Sequence, residues 1–331
     1  MDHFPQDTPR LEEISETIER RFGFRVRSAE PIERGWLNRK WKLKTDHGVM
    51  FAKQYHPDRY RLHEPEKLKE ALIRQNRLRS QGIPCPLIHT LDGEPLIATP
   101  SGIRFVLTEF CSGELVEPGR ANAEQMGDLG RVTGRMHALL NRNARLPKRA
   151  DWEPEPPAAM LEKWRSNWNA AQGKPCPDGL MEALDMQRRI IETFDVSVFA
   201  PCVKGWTHWD LWVDNLLFHP AKVAAILDFD RMRVLYPELD IARALLSCAL
   251  DVETGAMEPE LADRFLEGYR SAHPFPRGGL ARAFKLLWWL EATKWMVHDM
   301  DKYSAPPARF ARENIWLTRN WNELEDRFGG L

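Results

Sequence analysis

Trp206-Thr207-His208-Trp209-Asp210-Leu211-Trp212-Val213-Asp214-Asn215-Leu216-Leu217-Phe218, followed by Ile226-Leu227-Asp228-Phe229-Asp230, is the stretch on which the reading of this chain turns. It reads as a tight loop, a strand, a turn, a second strand and an acidic end. Asp210 stands shortly before the amide of Asn215, and Asp228 closes the next strand, which would return it beside Asn215. That set suits phosphoryl transfer: one carboxylate accepts a hydroxyl proton, while an amide and a second carboxylate hold magnesium. The competing reading is a surface β-hairpin with acidic turns. The joint spacing of His208, Asp210, Asn215 and Asp228 favours the first.

Composition narrows the rest. The 331 residues are 43% apolar and 29% charged, an ordinary globular balance with length enough for two lobes. A net charge of -1 argues against a nucleic-acid partner. No apolar run reaches membrane-spanning length, and the N-terminus is polar rather than signal-like, so no membrane partner is expected. The 5 cysteines are scattered, without a Cys-x-x-Cys pair, which disfavours zinc and disulfide frameworks and suits a reducing cytoplasm. The 13 tryptophans are many; most should pack in cores, and some could line a cleft.

Upstream, Leu11, Ile14, Ile18 and Phe22 repeat at helical spacing. Residues 24–32, 39–45 and 49–55 read as strands, the last two joined by the Asp46-His47-Gly48 turn. Period-two alternation puts Phe51 and Lys53 on one face of the third strand. A lysine in a half-buried strand needs a counter-charge, which nucleotide phosphates would supply. Residues 56–66 read as a polar connector, 67–81 as a helix stopped at Gly82, and 103–110 as a strand. Helices are expected over 123–140, 158–171 and 180–194. Beyond Pro259 the chain reads as helical, with its last helix over 310–328 and an acidic, tryptophan-rich stretch containing Glu291, Asp299 and Asp301.

His208-Trp209-Asp210 with Asn215 and Leu227-Asp228-Phe229-Asp230 resembles the aminoglycoside phosphotransferase and choline kinase-like family. Trp209 and Trp212 stand where that family carries glycine and histidine. The resemblance covers most of residues 25–250. It implies an α+β, bilobal protein-kinase-like fold: an N-lobe over 1–111 with an antiparallel sheet plus helix, and a larger, mostly helical C-lobe over 112–331. The hinge would lie at 109–113, the catalytic loop at 206–230, and acceptor-site helices at 152–200 and 259–328. The implied reaction is ATP-dependent phosphorylation of a small-molecule hydroxyl, with ATP and magnesium as cofactors. Asp210 would be the base, and Asn215 and Asp228 the metal ligands. Lys53 would position the phosphates, steadied by Glu70 or, one turn earlier, Glu66. Gly35 would sit in the phosphate-covering turn, with Asn38 beside it, and Phe51 could stack on adenine. The carbonyl of Glu109 and the amide of Cys111 would meet the adenine edge. Trp212 and Asp230 are candidates to touch the acceptor. Trp164, Trp168, Asp151, Glu153 and Glu155 are further ones, weighed against plain core tryptophans and solvated charges. Asp240 and His137 read as architectural.

Homoserine, choline-like amino alcohols, sugars and aminoglycosides all fit that chemistry. A kinase-fold binding protein with little or no turnover, like some spore-coat proteins, is the alternative. A protein kinase ranks lower, because Asp240 follows Asp230 too soon for a peptide-docking segment. Oligomeric state is not legible in the sequence.

Overall fold

The computed structural model describes residues 8–33, 38–62, 64–302 and 305–331. Its contacts divide the chain into two compact units, Met1–Gly113 with Ala224–Met232, and Glu114–Val223 with Arg233–Leu331.

The first unit runs α1 (Thr8–Phe22), β1 (Val26–Pro31), β2 (Arg39–Thr45), β3 (Gly48–Gln54), α2 (Pro57–Leu62), α3 (Pro65–Ser80), β4 (Ile88–His89), β5 (Ile97–Ala98) and β6 (Arg104–Glu109). The strands form one sheet in the order β1-β2-β3-β6-β4, with β5 also paired to β6. Every pairing is antiparallel, and β3 meets β6 in the register Met50↔Glu109 to Gln54↔Phe105. Because side chains alternate along a strand, the sheet has two differently covered faces. Met50 and Ala52 of β3 pack with Phe105 and Leu107 of β6 under Ile14 and Ile18 of α1. Tyr55 and Val106 turn the other way, against Leu68 and Leu72 of α3. Lys53 shares that second face. Proline at its start opens α3, and Gly82, at φ 82°, closes it by letting the amide of Ile83 return 3.0 Å to the carbonyl of Leu78.

Residues 224–232, which the sequence reading carried with the second lobe, group with this unit for visible reasons. The Ile226 amide donates to the Pro84 carbonyl at 2.8 Å. The single 3-10 turn at Phe229–Arg231 lies against α3.

The second unit holds β7 (Glu114–Leu115), α4 (Ala123–Asn141), α5 (Pro157–Ala171), α6 (Leu180–Thr193), β8 (Gly205–Thr207), β9 (Leu216–His219) and the start of β10 (Lys222–Ile226). After the chain re-enters it come β11 (Arg233–Leu235), α7 (Pro237–Ala249), β12 (Leu250–Asp251), β13 (Ala256–Met257), α8 (Pro259–Ala272), α9 (Gly279–Trp295), α10 (Ala305–Arg319) and α11 (Leu324–Phe328). A capping box opens α4: Asn122 accepts the Gln125 amide at 2.8 Å, and the Gln125 side chain accepts the Asn122 amide at 3.0 Å. Helices α4 and α8 touch through glycines. A Cβ on Gly130 would stand 1.9 Å from the Phe265 carbonyl oxygen, and one on Gly268 would stand 2.0 Å from that of Gly127.

Two expectations need local correction. The connector at 56–66 contains the short helix α2, which Pro57 can open because the first helical residue needs no amide donor. The helix expected over 310–328 is two, since the chain turns at Asn320–Glu323 between α10 and α11. Among the described residues no helix is long and apolar enough to cross a membrane.

Candidate active site

In the first unit, Lys53 lies on β3 with 7% of its side chain exposed. Its ammonium sits 2.6 Å from Asp230 and 3.0 Å from Asp228. The Tyr55 hydroxyl donates to the other oxygen of Asp230 at 3.0 Å. Burial alone would pull the lysine's pKa down, but attraction to Asp228 and Asp230 outweighs it and holds the ammonium charged. Asp228 takes a left-handed φ of 58°, which folds the chain sharply as it leaves β10.

The counter-charge that the sequence required for Lys53 therefore comes from the 228–230 turn. Glu70 does not supply it: its carboxylate pairs with Arg74 one helical turn on, at 2.6 Å, and is half exposed. That i,i+4 pairing satisfies Glu70 locally. Asp230, read as an acceptor contact, is buried with Lys53 and Tyr55 instead. Phe51 is half-buried two residues before the lysine. Gly35 lies outside the described residues, while Asn38 accepts the His56 amide at 3.1 Å. At the end of β6 the Glu109 carboxylate pairs with Arg79 at 3.1 Å, and its carbonyl accepts the Thr108 hydroxyl at 2.9 Å. Burial pushes the Cys111 thiol up to about 11, which disfavours the thiolate form.

In the second unit, β8 pairs with β11 and delivers the chain to His208. Asp240, in the first turn of α7 and fully buried, accepts the amides of His208 at 2.7 Å and Trp209 at 2.8 Å. It also meets His137 Nε2 at 3.0 Å, while the other ring nitrogen of His137 meets the Tyr269 hydroxyl at 2.8 Å. A carboxylate only accepts, so Nε2 carries a proton. Burial would push the Asp240 carboxyl up; hydrogen bonding from His137, then the charges of His137 and His208, outweigh it and hold the carboxyl below its usual range. Asp240 thus braces the loop rather than capping its own helix, whose N-cap is Tyr236.

Held this way, Trp209 takes φ 66°. The next residue, Asp210, is buried at 7% exposure, and its amide donates to His208 Nδ1 at 3.2 Å. Asn215 uses one nitrogen twice, donating to the Asp210 carbonyl at 2.9 Å and to its carboxylate at 3.0 Å. The Asn215 carbonyl oxygen has no hydrogen-bond partner among the described residues. The loop therefore closes on itself around Asp210 and presents an amide oxygen, a hard ligand of the kind magnesium takes.

Arg243, Arg309, Phe310 and Glu313, which the sequence reading did not single out, lie around this loop. Arg243 of α7 lies 4.9 Å over the Trp209 ring and pairs with Glu291 of α9. Trp212 stacks on Phe310 of α10, centroids 4.0 Å apart and planes at 16°. Arg309 lies 5.4 Å from the Trp212 ring, 2.5 Å from Asp214 and 3.3 Å from Glu313. Burial pushes the Glu313 carboxyl up to about 7, although Arg309 and Arg243 pull the other way. Glu291 gave a signal only as one acid in a tryptophan-rich helix; its partner, Arg243, lies too far off in sequence to be paired with it. Other residues considered for the acceptor are committed elsewhere. The indole of Trp164 donates to the Leu184 carbonyl at 2.7 Å, and Trp168 stacks on Trp164. Asp151 accepts the Val234 amide, Glu153 pairs with Arg149, and Glu155 with Lys163.

Residues 28–282 match the model of the phosphotransferase enzyme family, APH. A homoserine kinase of Rhodopseudomonas palustris (strain BisA53) is 26% identical over 249 residues, 75% of this chain and 71% of that protein. One from Methylobacillus glycogenes is 26% identical over 245 residues, 69% of each. The chain spans 16% of the length of a mouse relative, acyl-CoA dehydrogenase family member 10, and 44% of a Mesorhizobium japonicum homoserine kinase. Among solved structures, the microcompartment-associated aminopropanol kinase superposes with a TM-score of 0.63 at 18% identity, covering 98% of this chain and 99% of that one. Amicoumacin kinase hAmiN, in complex with AMP-PNP, Ca2+ and Ami, gives 0.61 at 17% identity, covering 95% and 96%. The fold is the α+β, protein-kinase-like one expected, and the chain belongs to the phosphotransferase enzyme family.

Proposed function

We propose that the protein transfers the terminal phosphoryl group of ATP to a hydroxyl of a small molecule. The observation that carries this reading is the closed loop in which Asn215 holds the Asp210 carboxylate at 3.0 Å while Asp240 braces the preceding amides. Asp210 orients the acceptor hydroxyl and takes its proton as the oxygen bonds to phosphorus. Lys53 gives the phosphates the positive charge that it shares with Asp228 and Asp230 here. Phe51 offers a ring to adenine, and the Glu109 carbonyl and Cys111 amide bond its edge.

Each proposed ligand, taken by its own chemistry, suits magnesium. Asn215 and Asp228 offer an amide oxygen and a carboxylate, and 29% of the Asp228 side chain is exposed. Among the described residues no three His, Cys, Asp or Glu side chains cluster as a metal cage. Magnesium at kinase sites takes one or two protein ligands and completes its shell with phosphates and water. When bound, it would neutralise phosphate charge.

Amino alcohols of the homoserine type are the first acceptors to try, because relatives named homoserine kinase align along about 70% of their length. Trp212, flat on Phe310 beside Asp210 in sequence, is the proposed acceptor-side contact. ADP release measured across a panel of such alcohols with magnesium-ATP tests the reading. Asp210→Asn should lower kcat by about 10²–10⁴-fold while magnesium-ATP binding persists. Magnesium-ATP binding without turnover on any acceptor would instead favour a non-catalytic binding protein.

A further inference from the structure

The first unit encloses a cavity of about 270 Å³ between the start of α1, the end of β3, α2 and the segment before β6. Its charged lining has one sign. Arg10 and Arg104 line it beside His56, and no carboxylate does. Neither Arg10 nor Arg104 has an ion pair among the described residues. Arg104 lies 4.6 Å over the Tyr60 ring, a contact with a ring face that uses none of its N–H donors. Acids that contact lining residues have partners of their own: Glu13 accepts the amide and hydroxyl of Ser101 at 2.7 and 2.6 Å, Asp58 stands 3.8 Å from His56, and Asp230 is held by Lys53 and Tyr55.

Gln54 lines the same cavity. It is 6% exposed, and its side-chain oxygen is buried with no hydrogen-bond partner among the described residues. By strand alternation it faces away from Lys53. A buried amide oxygen left unpaired is costly, so a donor is expected opposite it.

We propose that this cavity binds a small oxyanion that also carries a hydroxyl or amino group. The acid is held by Arg10 and Arg104, and the second group donates to Gln54. The volume, near the lower end of ligand sites, limits the occupant to a few carbon atoms. A phosphomonoester and a carboxylate share this chemistry. The cavity is separate from the cluster around Lys53 but shares Tyr55 with it, whose hydroxyl is 3.0 Å from Asp230.

Titration calorimetry of the full chain with glycerol 3-phosphate, glycerate and inorganic phosphate tests this. It is run with and without a saturating non-hydrolysable ATP analogue and magnesium, to separate the cavity from phosphate binding at Lys53. Binding of glycerol 3-phosphate or glycerate is expected to persist with the analogue present, and the tighter of the two identifies the acid. Arg104→Ala and Arg10→Ala should each weaken it at least tenfold. Gln54→Leu should weaken glycerol 3-phosphate and glycerate, while Lys53→Ala leaves the binding of glycerate unchanged. Arg10 is exposed on the first turn of α1, so its variant tests the site even where another disturbs folding. No binding of any probe, binding indifferent to the arginine variants, or loss with Lys53→Ala would overturn the proposal.

Discussion

Trp209 shows at single-residue scale how the loop is held. A side chain with a Cβ rarely adopts φ 66°, and the strain is about 1–3 kcal/mol. The bonds of its own amide and of the His208 amide to Asp240, with Arg243 over a ring 8% exposed, keep it there. Trp209→Gly would relieve the strain but lose the burial of a large aromatic, which costs about 3–5 kcal/mol when removed. Burial wins, so the variant should unfold at lower denaturant concentration than the parent; an unchanged or higher midpoint would mean that strain dominates. Glu313 makes a pH-dependent contribution. Its carboxyl is raised from an ordinary 4.5 to about 7, so between those values the unfolded chain has released a proton that the folded chain keeps. Stability is therefore fully present below about 4.5 and lost as pH rises through about 7. Glu313→Gln has no proton to keep, so its melting temperature should fall less than the parent's across that window. Equal slopes would show that Glu313 titrates at its ordinary value.

At the scale of elements, the contact of α4 with α8 rests on missing side chains. Backbone carbonyls of Phe265 and Gly127 occupy the space where Cβ atoms of Gly130 and Gly268 would stand. A backbone oxygen inside a packed helix pair cannot swing aside as a flexible side chain could. Gly130→Ala should therefore destabilise the protein, despite alanine's better helix propensity of about 1 kcal/mol, because overpacking costs about 1–3 kcal/mol or more. Thermal unfolding of Gly130→Ala beside Gly127→Ala checks this: Gly127 has its nearest atom at 3.7 Å, so its variant should be close to neutral. The same helices carry His137 and Tyr269, which meet across the contact and brace Asp240. Separating them would reach the loop before Asp210 without touching it.

At the scale of the whole molecule, most elements were legible because their signals are local. Helical periodicity placed α1, the Asp46-His47-Gly48 turn set β2 beside β3, and Gly82 marked where α3 stops. The spacing of Asp210 and Asn215 was legible for the same reason: one short loop carries both. What proximity along the chain could not reveal was partnership at a distance. Lys53 takes its counter-charge from Asp228 and Asp230, more than a hundred residues away, rather than from Glu70 on the adjoining helix. Arg243 finds Glu291, and Asp240 gathers His137 with two loop amides, through helices that meet only once packed. Gly130 and Gly268 look like weak points in two helices until the opposing backbone is present. Local propensity and motif spacing depend on a few neighbouring residues and are written in the chain. The pairing of buried charges depends on which surfaces desolvate together, and that is settled only when the elements pack.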